Sequence, residues 1–488
     1  MAILNNLQPA EIWEFFDQIL EIPRPSKNEV KIRDFLVKFA ISNKLSYQID
    51  GGGNLVIRKD PTRGMEKRKK VILQSHLDMV GEKNSDVIHD FSKDPIIPRM
   101  EGDWIMAAGT TLGADDGIGI AAQMAVLSSN TIQHGPLECL FTVDEETGLT
   151  GAMALEKGFI DGSILLNLDS EDEGELFIGC AGGIDTLARF KYKTRIFPFH
   201  HLAYNVKVSG LKGGHSGDEI HKSPTGNSNK ILARFLWNVT RYYRVRLAWF
   251  DGGNLRNAIP REAEAIVVVP EGSSKDFENY FNSFQQTLYN ELKYREPNLK
   301  LELSKTHQPE TVINIKVQKR LINSIYACPH GVIKWSDELE GLVETSTNLA
   351  SVKFTDNNTI LVTTSQRSSL DSGIRDISDR IESLFSLANA KVWHTDGYPG
   401  WSPDKNSEIV KLTAKTYQDL FGIKPVVRAI HAGLECGLFL QKYPELDMIS
   451  FGPTIKGAHS PDERLSIEST EKFWKLLLEV LKRIPEEE

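Results

Sequence analysis

The residues of this chain best equipped for chemistry are acids and histidines that stand where apolar runs stop. Val71-Ile-Leu-Gln-Ser-His-Leu-Asp78 begins like a buried strand and turns polar, as a strand does on reaching the carboxyl edge of a sheet. His76 and Asp78, spaced i, i+2, share a face in an extended chain. An imidazole with a carboxylate able to hold its second nitrogen makes a metal ligand and its orienting partner. In Leu112-Gly-Ala-Asp-Asp-Gly-Ile-Gly119, Asp116 reads as the cap of the helix that follows. Asp115, in its glycine-flanked turn, is then left to ligate. The run Leu137–Val143 ends in Asp144-Glu145-Glu146, neighbouring carboxylates that repel unless a cation or a proton intervenes. Ser163–Leu168 ends in Asp169, which reads either as another ligand or as a turn-starting acid. His459 follows the strand-like Met448–Phe451, inside Gly457-Ala-His-Ser-Pro-Asp-Glu463.

Together His76, Asp115, Glu146, Asp169 and His459 offer two imidazoles and three carboxylates. That set suits two divalent ions, Zn²⁺ with Mn²⁺ or Co²⁺ as alternatives, about 3.5–4 Å apart. One shared carboxylate, most economically Asp115, would hold such a spacing. A water between two ions of this kind ionises near neutral pH. Glu145, beside a ligand but not needed as one, is placed to take the water's proton and hand it to a leaving amine.

The elements that position these residues follow from periodicity. Helices are expected over Glu11–Leu20, over Asp116–Ser128, and from the capping pattern Ser26-Lys-Asn-Glu29 to about Asn43; strands are expected over Asn54–Arg58 and Lys70–Gln74. Strands alternating with helices, with ligand types at the strand ends, predict an open α/β sheet flanked by helices, its site at the carboxyl edge. After Gly182-Gly183 the texture becomes α+β: Tyr204–Ser209, Lys230–Tyr242, Ala263–Val269 and Lys275–Leu292, then Gly341–Val352, Thr359–Thr363 and Asp371–Leu387. Val426–Ile430, Met448–Phe451 and Ile467–Leu481 return to the α/β style. The simplest organisation is a catalytic domain of residues 1–184 and 395–488, interrupted by an insert of residues 185–394 in two halves.

Composition narrows the class. Hydrophobic content of 40% and charged content of 25% are ordinary for a globular domain, and 488 residues are enough for two or three of them. A net charge of −9 argues against nucleic acid or an anionic membrane as partner. The sequence shows no secretory signal and no apolar run of about 18 residues. Cys139, Cys180, Cys328 and Cys436 are far apart, as suits buried thiols in a reducing compartment. A cytoplasmic enzyme is the expectation.

The order Gln74-Ser-His-Leu-Asp-Met-Val80, Leu112–Gly119, Asp144-Glu-Glu-Thr-Gly148, Leu166-Asn-Leu-Asp-Ser-Glu171 and Gly457–Glu463 resembles the M20 metallopeptidase family. Cys180-Ala-Gly-Gly183, Gly213-Gly-His-Ser-Gly217 and His431-Ala-Gly-Leu-Glu-Cys-Gly437 are similar to its aminoacyl-histidine dipeptidase branch. The resemblance implies a zinc-exopeptidase-like catalytic domain and a lid of two ferredoxin-like halves. It implies that His76 and Asp169 hold one ion, that Glu146 and His459 hold the other, and that Asp115 bridges. It also implies that Asp78 orients His76 and that Glu145 is the general base and acid. In relatives with small lids a partner subunit lends a histidine; an insert of this size is similar to lids that replace the partner, so a homodimer stays open.

His215 resembles the lid histidine that polarises the scissile carbonyl; its other reading is an ordinary loop histidine. Asn257 and Arg367 hold a substrate carboxylate or are surface polar groups. Glu435 receives a free α-amino group or is a helix N-terminal acid. The implied reaction is hydrolysis of Xaa-His and other unblocked dipeptides, with a small peptide as substrate and a homodimer possible. Sibling activities on the same scaffold, tripeptide aminopeptidase or N-acyl-amino-acid amidohydrolase, share the metal ligands. A catalytically silent metal- or peptide-binding protein would have no use for Glu145, since binding alone needs no proton shuttle.

Overall fold

Val71–His76 is buried at every residue and lies inside a mixed eight-stranded sheet. In the computed structural model, residues 3–4, 6–217, 219–221, 226–337, 339, 341–404 and 406–487 are described. Beside Val71–His76 run Leu137–Thr142 on one side and Ile164–Asn167 then Asp447–Ser450 on the other, all four parallel. Parallel strands are covered on both faces, which is why these runs are almost continuously apolar. Register pairs His76 with Thr142, Gln74 with Asn167, and Asn167 with Ser450, so the four carboxyl ends leave one edge together. The loops that follow carry Asp78, Asp144-Glu145-Glu146, Asp169 and, after a longer path, His459. The helix Ala114–Ser128 is buried through Leu127 and shares the hydrophobic core with the helix Ala10–Leu20. Gly117 permits the close approach: a Cβ there would stand 2.6 Å from Arg24 Nη2 and 3.2 Å from Phe16 Cε2.

Two local expectations change. The strand runs past Gln74 to His76, because Ser75 and His76 continue the ladder opposite Phe141 and Thr142. Asp78 therefore lies beyond the strand and meets His76 through a turn. The capping box at Ser26 does not form: the helix Val30–Ser42 starts later, and Glu29 Oε1 accepts from Lys27 N (2.7 Å) and Asp144 N (3.1 Å). Asp116 does cap. Residues 115 and 116 are non-helical, and Asp116 Oδ1 accepts from Gly119 N at 3.1 Å.

The chain divides into two compact units, one of Met1–Gly179, Trp401–Ala429 and Leu434–Glu488, the other of Cys180–Gly400 with Ile430–Gly433. The short segment 430–433 belongs to the second unit, although the sequence pattern assigns it to the first. In the second unit, His201–Ser209, Arg246–Gly252, Ala263–Pro270 and Lys300–Lys305, with two helices, make a β-α-β-β-α-β set whose antiparallel order is fourth, first, third, second. Gly182–Lys191, Val343–Thr355, Thr359–Ser368 and Lys391–His394 make the same arrangement with the helices Ile315–Ala327 and Asp371–Leu387. Both halves are ferredoxin-like, but nested rather than consecutive: the first is inserted between the opening strand and first helix of the second. Thr194–Ile196 pairs with Thr311–Ile313 where the insertion enters and leaves, and Asp251–Gly252 pairs with Val352–Lys353 to join the halves. The four cysteines are buried and unbridged, and among the described residues no helix is long and apolar enough to cross a membrane.

Candidate active site

At the carboxyl edge of the parallel strands the five expected ligands converge. His76 Nε2 stands 2.9 Å from Asp115 Oδ1 and 3.3 Å from Asp169 Oδ1. His459 Nε2 stands 2.8 Å from Glu146 Oε2 and 3.1 Å from Asp115 Oδ2. Each oxygen of Asp115 thus faces a different imidazole, and the two triads, His76-Asp115-Asp169 and Asp115-Glu146-His459, each draw their ligand atoms within 4.8 Å. Burial, with the charge of Asp115 beside it, raises Asp169 to about 7. Against the lowering effect of burial, hydrogen bonds to Asp115 and Glu146 raise His459 to about 11. Glu146 Oε1 is buried and has no hydrogen-bond donor among the described residues. An orphaned carboxylate oxygen among other carboxylates is a place for a cation, and the mixed nitrogen and oxygen donors fit Zn²⁺, Mn²⁺ or Co²⁺.

Asp78 supports two elements at once. Its carbonyl is 3.1 Å and its Oδ1 3.4 Å from His76 Nδ1, while its carboxylate accepts from Glu145 N (3.0 Å) and Glu146 N (3.3 Å). The same carboxylate therefore fixes the His76 ring and the acidic turn. Against burial, which would raise it, these hydrogen bonds with that imidazole hold Asp78 down at about 2. Asp144, in the left-handed region, accepts from Thr147 Oγ1 and Thr150 Oγ1, both at 2.5 Å, and shapes the turn further. Glu145 joins His76 and Glu146 within 4.8 Å. Burial and the charges of Asp169, Glu146 and Glu435 push its carboxyl well above the usual range.

Two residues near the site were not singled out by sequence reasoning. Glu463 accepts from four successive backbone N–H groups, Leu112 (2.7 Å), Gly113 (2.9 Å), Ala114 (2.8 Å) and Asp115 (3.3 Å). It lies within the quoted Gly457–Glu463 motif, and that was its only signal. Arg24 is buried and donates to the carbonyls of Leu77 (3.0 Å), Asp78 (2.7 Å) and Gly113. Its partners are backbone atoms distant in sequence, so no local pattern marks it. Glu435 is fully buried, with Oε2 accepting from Gln74 Nε2 (2.6 Å) and Thr142 Oγ1 (2.7 Å) and Oε1 without a donor among the described residues. Burial raises its carboxyl to about 8.

The other three expected residues belong to the second unit. His215 pairs with Ala258 in an antiparallel bridge, and Ser216 N donates to Asn257 O at 2.7 Å, which sets the exposed Asn257 next to the histidine segment. Asn348 Nδ2 holds that loop through the carbonyls of Arg256 (3.2 Å) and Ala258 (2.8 Å). Gly217 lets three groups meet: a Cβ there would stand 2.4 Å from His431 O, 3.0 Å from His215 Cε1 and 3.3 Å from Arg367 Cζ. Arg367 is buried, donates through Nη1 to Tyr398 Oη (2.9 Å), and has no acceptor at Nε among the described residues.

Two outcomes follow from the first unit. Glu463→Ala leaves four N–H groups of the Asp115 turn unheld and is expected to weaken metal affinity about 10–100-fold in a chelator competition; an unchanged affinity would contradict the clamp. The second concerns pH. Asp169 and Glu435, raised from 3.8 and 4.5 to about 7 and about 8, keep protons in the fold that the unfolded chain releases. Their contribution is lost as pH rises through those values, and that of His459, raised from 6.5 to about 11, is lost in the same direction. The metal-free protein should therefore melt lower at about pH 8.5 than at about pH 5.5, with a larger rise in Tm on adding Zn²⁺ at the higher pH; a metal-free Tm that climbs with pH would contradict this.

Comparison with known proteins places the whole chain among relatives. The model of the peptidase family M20/M25/M40 matches residues 72–483. The chain is 46% identical over 485 residues to the cytosol non-specific dipeptidase of Escherichia coli (strain K12), covering 99% of this chain and 100% of that one. The crystal structure of aminoacylhistidine dipeptidase from Vibrio alginolyticus is similar with a TM-score of 0.89 and 44% identity, over 100% of this chain and 99% of that one. A tripeptidase from Staphylococcus aureus shares the fold at a TM-score of 0.62 with 16% identity, over 98% and 99% of the two chains. With the family match running from the strand that ends in His76 to the last helix of the chain, this protein belongs to peptidase family M20/M25/M40.

Proposed function

We propose that the chain is a cytoplasmic two-metal dipeptidase that hydrolyses unblocked dipeptides, Xaa-His among them. The observation that carries the reading is Asp115, whose two oxygens face two different imidazoles, 2.9 Å and 3.1 Å away. Support for the substrate class comes from similarity along the whole chain to a dipeptidase of the cytosol and to an aminoacylhistidine dipeptidase. His76 and Asp169 would hold one ion and Glu146 and His459 the other, with Asp115 between them. Zn²⁺ is the ion we propose, with Mn²⁺ and Co²⁺ compatible with the same donors. When bound, the pair would polarise the scissile carbonyl and make a water acidic enough to attack at neutral pH.

The chain's own residues supply the rest. Asp78 holds the Nδ1 side of His76, which directs Nε2 toward the ion position. Glu145 takes the proton of the attacking water and returns it to the nitrogen of the leaving amine. A carboxyl whose proton affinity is raised by burial and by neighbouring acids suits both halves of that transfer. His215 would stabilise the developing oxyanion, and the second unit would act as the lid that carries it. Arg367 and Asn257 would take the terminal carboxylate of the substrate. Glu435, whose Oε1 has no donor among the described residues, would take its α-amino group.

The test combines one variant with one substrate panel. Glu145→Gln should lower kcat about 10²–10⁴-fold while metal content and Tm stay at wild-type values. The wild-type enzyme should cleave dipeptides in preference to tripeptides and N-acyl amino acids. Near-normal turnover in the variant would remove Glu145 from the proton transfer, and a preference for tripeptides or N-acyl substrates would overturn the substrate class.

A further inference from the structure

Two of the glycine-bearing segments, Cys180-Ala-Gly-Gly183 and His431-Ala-Gly433, have no part in the chemistry described so far, yet the fold binds them together. Ala181 N donates to the carbonyls of Ile430 (3.1 Å) and Ala432 (3.0 Å). Both segments close on Tyr398. Gly183 and Tyr398 exchange backbone hydrogen bonds, N to O, at 2.9 Å in each direction. A Cβ at Gly183 would stand 2.9 Å from Tyr398 Cζ, and one at Gly433 would stand 2.8 Å from Cε2 and 3.1 Å from Cζ. Real Cβ atoms do not approach that closely, so the phenol ring is seated where only glycines leave room for it.

What the ring does there is visible at its hydroxyl. Arg367 lies opposite Gly183 in the ladder between Thr359–Ser368 and Gly182–Lys191, and its Nη1 donates to Tyr398 Oη at 2.9 Å. The arginine is buried, and its Nε has no acceptor among the described residues. A guanidinium offers its donors along flat edges, and a carboxylate takes two parallel N–H bonds from one edge. With Nη1 engaged by the tyrosine, the edge formed by Nε and Nη2 is the one left for a carboxylate. A buried donor left without a protein acceptor is suited to an acceptor that a ligand brings.

We infer that Tyr398 is a positioning residue that orients Arg367 for the terminal carboxylate of the substrate, and that the glycines of the two segments hold Tyr398 in place. The inference rests on the proposed role of Arg367 and adds the device that sets its specificity for a free carboxyl terminus. Tyr398 touches the guanidinium and acts on substrate only through it.

The test compares a dipeptide with its C-terminal amide. Tyr398→Phe removes one hydroxyl and keeps the ring, so KM for the dipeptide should rise about 3- to 10-fold with kcat changed less. The preference for free acid over amide should fall by a similar factor, while metal content and Tm stay at wild-type values. Gly433→Ala, which displaces the ring, should shift KM and preference in the same direction. Arg367→Ala should cut the preference about 10- to 100-fold. If Arg367→Ala does so and Tyr398→Phe leaves KM and preference at wild-type values, the inference about Tyr398 falls and the role of Arg367 stands. If Arg367→Ala leaves the preference intact, the role of Arg367 fails and the inference with it.

Discussion

The constraint on which this structure turns is the crowding of carboxylates at one edge of a buried parallel sheet. Asp115, Glu145, Glu146 and Asp169 meet there, with Glu171 and Glu435 close enough for their charges to be felt. Burial and mutual repulsion raise Glu145, Glu146 and Asp169, and burial with the charge of Asp115 pushes Glu171 to about 8. Isolated charges of one sign are too costly to hold together in a protein interior. Such a set is stable when cations fill it or when protons do, and the imidazoles of His76 and His459 compensate only part of it.

The surrounding structure supplies donors that cannot be protonated away. Asp78 is held by backbone N–H groups of the acidic turn, and Glu463 receives four consecutive N–H groups of the Asp115 turn. Arg24 ties the turn after His76 to the turn before Asp115 through their carbonyls. The site is thus built on strand ends and on backbone rather than on flexible side chains, and metal ligands keep their positions only when such outer partners hold them. In the second unit the logic is the same at smaller scale: glycines at 183, 217 and 433 let His215, Arg367, Tyr398 and His431 come together without intervening side chains.

Much of this was legible in the sequence, and what was missed has a physical cause. Each candidate ligand follows an apolar strand within a few residues or sits in a glycine turn, so local pattern finds His76, Asp115, Glu146 and Asp169; His459 needed the others to stand out from an ordinary loop histidine. Arg24 and Tyr398 act through partners brought close only by folding, which no period of 2 or 3.6 encodes. The nesting of the ferredoxin-like halves was hidden for the same reason. Gly182–Lys191 pairs with Thr359–Ser368 across an entire inserted half, whereas sequence pattern presents elements only in order. The strand end at His76 was underestimated because Ser75 and His76 are polar, although the ladder opposite Phe141 and Thr142 carries them on.

The most direct measurement is the metal content of the purified protein and of Asp115→Asn, taken together with dipeptidase activity. A two-metal site centred on Asp115 predicts two divalent ions per chain in the wild type, and loss of at least one ion along with activity in the variant, because each oxygen of Asp115 faces a different imidazole. Two ions retained at wild-type affinity in Asp115→Asn, or full activity in a wild-type preparation stripped of metal, would contradict it.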